Sequence, residues 1–214
     1  PKAPFEFRML PGNVAYVALK SFGKDDAADQ FLAAFDQIAK SSALVIDVRD
    51  NGGGDSHVGL RVLATLTGKP FQTGKWDTRN YLPTYRAWSR PMPNFGKTGE
   101  DWQPDATRRF TKPVAVLTSG ATYSAAEDFA MAFDAMKRGV IVGEPTGGST
   151  GQPLMIGLPG GGTARIVTKR DTYPDGRPFV GVGIQPGIKV SPTVADLHKG
   201  RDTVLEAALV TLSK

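Results

Sequence analysis

The 214-residue sequence has no cysteine and only two histidines. The first absence excludes thiol catalysis and cysteine-ligated metal centres. The second leaves His57 and His198 as the only imidazoles available as bases. No stretch approaches the roughly 18 consecutive apolar residues of a membrane span, and the opening residues lack the apolar core of a signal peptide. Internal repeats, low-complexity tracts and the GxGxxG and Walker patterns of phosphate loops are also absent. The excess of positive charge, +5, is not gathered into a block. Short pairs such as Arg108-Arg109, Lys137-Arg138 and Lys169-Arg170 read as a basic soluble surface rather than a nucleic-acid interface. We expect no cofactor, no metal and no nucleic-acid partner.

What is present fits one globular core: 40% of residues are hydrophobic and 22% charged, over a length usual for a single domain. A chain of this size buries about 70% of its extended surface and needs no covalent staple. We therefore expect one domain over residues 1–214, with 71–109 as a flap-like insertion. The sequence opens at Pro1 without a methionine, which we read as a mature or excised part of a parent protein with a further N-terminal segment.

Val14–Leu19 has the apolar character of a strand. Residues 25–40 place Phe31, Phe35 and Ile38 at helical spacing behind an acidic first turn, predicting an amphipathic helix. Residues 43–48 form a short continuous apolar run, the pattern of a strand buried on both faces. A helix is predicted over about 56–66. The order then recurs: strand 113–118, helix 124–136 with Phe129, Phe133 and Met136 on one face, strand 140–142. A last helix is expected over 202–212. Strand, polar loop, helix, strand is α/β logic. Residues 71–109, rich in Trp, Tyr, Pro and Arg, form a long irregular connection of the kind that is usually functional.

Two junctions carry candidate chemistry. Asp47-Val48-Arg49-Asp50-Asn51-Gly52-Gly53-Gly54 ends a buried strand, where glycines can point N–H groups into a cleft as an oxyanion hole requires, or simply make a turn. Thr122-Tyr123-Ser124-Ala125-Ala126-Glu127 opens a helix. There Ser124 has the positive end of the dipole beside its hydroxyl, but Ser-x-x-Glu is also a capping box, with Ser124 as cap and Glu127 bonding back. Either motif alone admits its structural reading.

Taken together, these motifs resemble the tail-specific, or C-terminal processing, serine peptidases. The resemblance extends through Pro113-Val114-Ala115-Val116-Leu117, Gly143-Glu144-Pro145-Thr146-Gly147-Gly148, Gly183-Ile184-Gln185-Pro186 and the closing Gly200-Arg201-Asp202-Thr203, and so covers most of the chain in order. It implies an α/β fold, a crotonase-like and Clp-protease-like core of ββα units with a long irregular insertion. It also implies a hydrolase that attacks the peptide carbonyl through Ser124, forming an acyl-enzyme. The oxyanion donors carried over are the backbone N–H groups of Gly53 and Ala125, with Gly52, Gly54, Tyr123 and Gly148 lining the path of a polypeptide substrate. Such enzymes act in the periplasm, at the cell surface or as secreted proteins.

The sequence departs from the pattern in one consequential way. The branch that uses a serine–lysine dyad carries its lysine in the loop that here reads Gly147-Gly148-Ser149-Thr150-Gly151-Gln152. Without that lysine the chain resembles more closely the branch of the tricorn core and the interphotoreceptor retinoid-binding protein repeats. In tricorn the base is a histidine from an upstream segment. His57 is the candidate base within this chain; His198 reads as a solvated loop residue and Glu127 as a helix-start carboxylate. The resemblance also admits a non-enzymatic module that binds an apolar ligand or peptide on the same fold.

Overall fold

The computed structural model describes residues 3–213. The chain begins with β1 (Phe5–Leu10), β2 (Val14–Leu19), α1 (Asp26–Ala33), α2 (Phe35–Ile38), β3 (Ala43–Asp47) and α3 (Ser56–Ala64). The 71–109 stretch contributes only short pieces: β4 (Phe71–Gln72), β5 (Lys75–Arg79), α4 (Pro83–Ala87), β6 (Asn94–Lys97) and β7 (Asp101–Trp102). The core resumes with β8 (Val114–Thr118), α5 (Ala125–Ala135) and β9 (Val140–Gly143). Then come β10 (Leu154–Gly157), β11 (Thr163–Ile166), β12 (Arg170–Thr172), β13 (Ile188–Lys189), α6 (Val194–His198) and α7 (Thr203–Leu212).

The main sheet has the order β1-β2-β3-β8-β9-β13. It is parallel throughout except for the antiparallel pairing of β1 with β2. Side chains alternate across a strand, and both faces of this sheet are covered, which explains why β3 and β8 read as unbroken apolar runs. Leu44, Ile46, Val114 and Val116 face α1, α3 and α5 in the larger core, whereas Val45, Ala115 and Leu117 pack with Val204, Leu205 and Ala208 of α7. Arg49 fastens α7 in place. Its guanidinium meets Asp47 Oδ2 at 2.6 Å and both carboxylate oxygens of Asp202 at 2.7 Å, and Asp202 caps α7 by accepting the Leu205 N–H.

The helix expected over 25–40 is two helices that meet at Ala34, an adjustment that keeps Phe31, Phe35 and Ile38 all buried. The strand β1 was not expected. It lies at the sheet edge, with Glu6 and Arg8 breaking its apolar pattern, and it reverses into β2 through Gly12 and Asn13 at φ 77° and 59°.

The geometry of the parallel sheet positions the site. Because Asp47 of β3 is in register with Leu117 of β8, the loops following these strands leave the same end of the sheet side by side, where α/β proteins bind ligands. They are laced together by Thr122 Oγ1 donating to Val48 O at 2.9 Å, Ser119 Oγ to Arg49 O at 2.7 Å and Tyr123 N to Asn51 O at 3.0 Å. Beneath them α3 lies close against α5. A Cβ at Gly59 would stand 3.1 Å from the Phe22 ring and 3.2 Å from Phe129, so a glycine there permits the approach.

Candidate active site

Ser124 stands immediately before α5 with φ 55° and ψ −125°. A serine in this region is strained by about 1–3 kcal/mol and persists only where its surroundings enforce it. The surroundings here are specific. The Ser124 N–H is shared between Ser149 O and Glu127 Oε2, each at 3.2 Å. The Glu127 N–H faces the Ser124 hydroxyl as in a capping box, yet its hydrogen bond goes to the Ser124 carbonyl at 2.7 Å.

Glu127 does far more than the helix-start role expected of it. Its side chain is wholly buried and also accepts from Thr146 Oγ1 at 2.6 Å, Gly148 N at 2.7 Å and Ser149 N at 2.8 Å. Thr146 continues the chain of bonds by accepting the Ile184 N–H at 2.7 Å. The carboxylate thus clasps the loop after β9 onto the N-terminus of α5.

Gly53 lies against Ser124. A Cβ built on it would come 2.6 Å from Ser124 Cβ, 2.8 Å from Tyr123 O and 3.0 Å from Ala125 N. Covalent geometry then keeps Ser124 Oγ within about 7 Å of Gly53 N. Among the described residues the Ala125 N–H has no acceptor, as expected in the first turn of a helix. The Gly53 N–H differs: it donates to Asn51 Oδ1 at 2.9 Å. Asn51, which sequence reasoning gave no role, is fully buried and also donates from Nδ2 to Leu19 O at 2.9 Å. The signal for it was an Asn ahead of three glycines, the composition of a side-chain-closed turn.

A cleft opens over Ser124 in two parts. The narrower, about 340 Å³, is lined by Gly52, Tyr123, Ser124, Ser149, Arg165 and Val167 among others. The wider, about 670 Å³, includes Gly54, His57, Ser124, Asp128, Arg165 and Lys169. Gly148, expected to face substrate, does not. It is buried, its N–H is taken by Glu127, and the chain at Gly181–Gly183 fills the space beside it. A cavity of about 710 Å³ between Lys69, Asp134 and Arg177 holds no residue of this site.

His57 borders the wider cleft, but its ring packs edge-on against Trp102 of the 71–109 stretch, with centroids 5.2 Å apart. Among the aromatics of that stretch, Trp76 packs on Phe95 at 5.7 Å, while Tyr81 and Trp88 remain exposed. The cleft lysine, Lys169, is held by Asp171 Oδ1 at 2.7 Å, beside the Trp76 ring. His198 is exposed at the end of α6.

Asp128 accepts from Ser56 Oγ at 2.6 Å. Burial pushes its carboxyl up to about 6, helped by Asp171 and Glu127 and opposed by the Ser56 bond and Lys169. A carboxyl with a raised folded-state value holds its proton more tightly in the native state. Its contribution to stability is therefore complete below the unfolded value of 3.8 and is lost as pH rises through about 6. We predict that Asp128→Asn gains on wild type across this window, by about 1–3 kcal/mol between pH 4 and 7 in urea unfolding. A stability difference that does not change with pH would show that Asp128 is not the group responsible.

The sequence profile of peptidase family S41 matches residues 13–190. The chain belongs to that family. It is 27% identical over 185 residues to the chloroplastic C-terminal processing peptidase of Tetradesmus obliquus, a match covering 85% of this chain and 36% of that protein. The chain thus spans about a third of the length of this curated relative. Among solved structures, a presumed peptidase from Parabacteroides merdae superposes with a TM-score of 0.80 at 26% identity, over 98% of this chain and 64% of that one. The tricorn protease superposes with a TM-score of 0.61 at 20% identity, over 94% of this chain and 18% of its own, and shows the fold alone. These S41 and tricorn neighbours, with the parallel-rich sheet, agree with the Clp-protease and crotonase-like core expected from the sequence.

Proposed function

We propose that this domain is the core of a serine peptidase that cleaves polypeptides through an acyl-enzyme on Ser124, within a single unit to which residues 71–109 add a flap. The observation that carries the reading is the strained backbone of Ser124 at the head of α5, directly against Gly53 and open to the cleft. A serine in a sharp, enforced turn presents its hydroxyl outward, and the helix dipole favours the negative charge that develops during attack.

In this reading Ser124 Oγ attacks the scissile carbonyl carbon and passes its proton to a base, and the carbonyl oxygen becomes an oxyanion that accepts from Ala125 N–H and Gly53 N–H. The Gly53 donor has to turn from Asn51 Oδ1 or share its proton between the two oxygens. Collapse of the intermediate expels the amine, which takes the proton from the base, and water then hydrolyses the ester. Each oxyanion donor is worth about 10²–10³ in rate.

The base in this proposal lies outside these 214 residues, as in the tricorn-like branch. Lys169 is tied to Asp171 by an ion pair, the guanidinium of Arg165 can donate hydrogen bonds but has no acceptor to offer, and the His57 ring is packed on Trp102. As for location, we favour an extracytoplasmic site by resemblance. The Tetradesmus relative is chloroplastic, and no helix among the described residues is long and apolar enough to cross a membrane.

The test is covalent labelling. A fluorophosphonate applied to the longest natural polypeptide carrying this domain should form an adduct at Ser124, mapped by mass spectrometry. The 214-residue chain alone should react about 10²–10⁴-fold more slowly for want of a general base. His57→Ala should leave both rates within about twofold; a large loss would place the base inside this chain. No adduct in the longest form would sink the peptidase reading and favour a binding module.

A further inference from the structure

Both parts of the cleft meet at Ser124, and one cationic side chain lines both of them: Arg165. It sits on β11 opposite Met155 of β10. Alternate strand residues share a face, so Val167 accompanies it into the narrower part. There Arg165 is the only formally charged side chain, among Gly52, Tyr123, Thr150, Pro153 and Val167. In the wider part Lys169 is a second cation, but its ammonium is already paired with Asp171. The acids of that part are likewise engaged: Asp55 accepts the His57 N–H and Asp128 the Ser56 hydroxyl. The Arg165 guanidinium has no ion pair and no hydrogen bond among the described residues.

A guanidinium left uncommitted beside a candidate nucleophile, with Pro153 and Val167 next to it, is a ready partner for a planar anion. Its N–H groups form a fork that matches a carboxylate bidentately. From this placement, and resting on the peptidase reading above, we infer that Arg165 is a specificity residue that binds a carboxylate of the polypeptide substrate next to the bond presented to Ser124. The carboxylate comes either from an Asp or Glu side chain or from the free C-terminus of the substrate; the chemistry is the same and the two sources separate by experiment. The pair is lost when the anion is replaced by a carboxamide, because an amide presents N–H donors to a group that can only donate.

The experiment uses the Ser124→Ala protein, so that binding is read without turnover. Short fluorescein-labelled Ala/Leu/Gly peptides carry either a central Glu or Gln, and either a free or an amidated C-terminus; affinities come from fluorescence anisotropy. One of the two acid-for-amide exchanges should weaken binding about 5- to 20-fold, and which one identifies the source of the carboxylate. The gap should narrow from about 50 to about 500 mM salt. It should vanish in Arg165→Ala, return in part in Arg165→Lys, and reverse in Arg165→Glu so that the amide binds better than the acid, all at unchanged melting temperature. Equal affinity for the four peptides, no binding of any of them, or a gap that survives Arg165→Ala overturns the inference. Fluorophosphonate labelling reports separately on the peptidase reading. Intact labelling without a carboxylate preference removes only the role of Arg165, and a preference without labelling removes only the peptidase.

Discussion

Glu127→Ala is expected to destabilise the protein by about 3–5 kcal/mol and to slow acylation of Ser124 at least about 100-fold. The carboxylate is fully buried and accepts from Thr146 Oγ1, Gly148 N, Ser149 N and Ser124 N. Alanine removes every one of those acceptors. A buried donor left without a partner costs about 1–3 kcal/mol; water entering the vacated space offsets part of the total, so the loss falls short of the sum. The kinetic effect has a separate origin. The positive φ of Ser124 is held in part by its N–H bond to Glu127, and once that is gone the serine can relax toward ordinary helical dihedrals and carry its hydroxyl away from Gly53. Glu127→Gln separates the two effects. It keeps the volume and one acceptor oxygen but turns an NH₂ toward some of the same N–H donors, so it should fold better than the alanine variant and still label slowly. Urea unfolding and the rate of fluorophosphonate labelling measure the two quantities. A Glu127→Ala protein with an unchanged midpoint and full labelling would show that the carboxylate does not organise the site.

The clasp also shows where sequence reasoning stops. The strands at 14–19, 43–48, 113–118 and 140–142 were legible because burial on both faces writes an unbroken apolar run. The helix after Ser124 was legible from its apolar face. Once the β3 and β8 runs are taken as neighbouring parallel strands, their following loops must converge, so the closeness of Gly53 to Ser124 could be reached from pattern and chemistry together. Glu127 could not. Its local pattern, three residues after Ser124, is that of a cap, whereas its partners Thr146, Gly148 and Ser149 lie 19 to 22 residues further on. A sequence displays local patterns and conceals tertiary ones. The same limit applies to Gly148, whose glycine marks close packing under Gly181–Gly183 rather than a surface for substrate, and to His57, whose ring orientation depends on Trp102 in a distant insertion. The strand β1 was hidden for a different reason. An edge strand with one face near solvent tolerates Glu6 and Arg8, charges that edge strands use to avoid pairing with other chains.

Gly53→Ala should reduce labelling of Ser124 by about 10²–10³-fold while costing the fold only about 1–3 kcal/mol. The added methyl meets Ser124 Cβ at 2.6 Å, Tyr123 O at 2.8 Å and Ala125 N at 3.0 Å. Two of these are main-chain atoms at the head of α5, which cannot rotate away as the end of a flexible side chain would. The backbone of Gly53, at φ 99°, is moreover one that an L-residue adopts only with strain. Both effects push the glycine loop and the serine turn apart, so the Gly53 and Ala125 N–H groups no longer converge on one oxygen, and the loss appears in acylation more than in stability. Gly52→Ala is the control for stability, since a Cβ there has nothing within 4 Å and its φ is not in the positive range. Its unfolding free energy should stay within about 0.5 kcal/mol of wild type. The prediction therefore reads as a contrast between adjacent glycines: similar chemistry, one residue apart, with a large kinetic loss at Gly53 and an unperturbed fold at Gly52. If Gly53→Ala labels at the wild-type rate, the oxygen of the tetrahedral intermediate does not sit between Gly53 and Ala125, and the oxyanion assignment fails even though Ser124 remains the nucleophile.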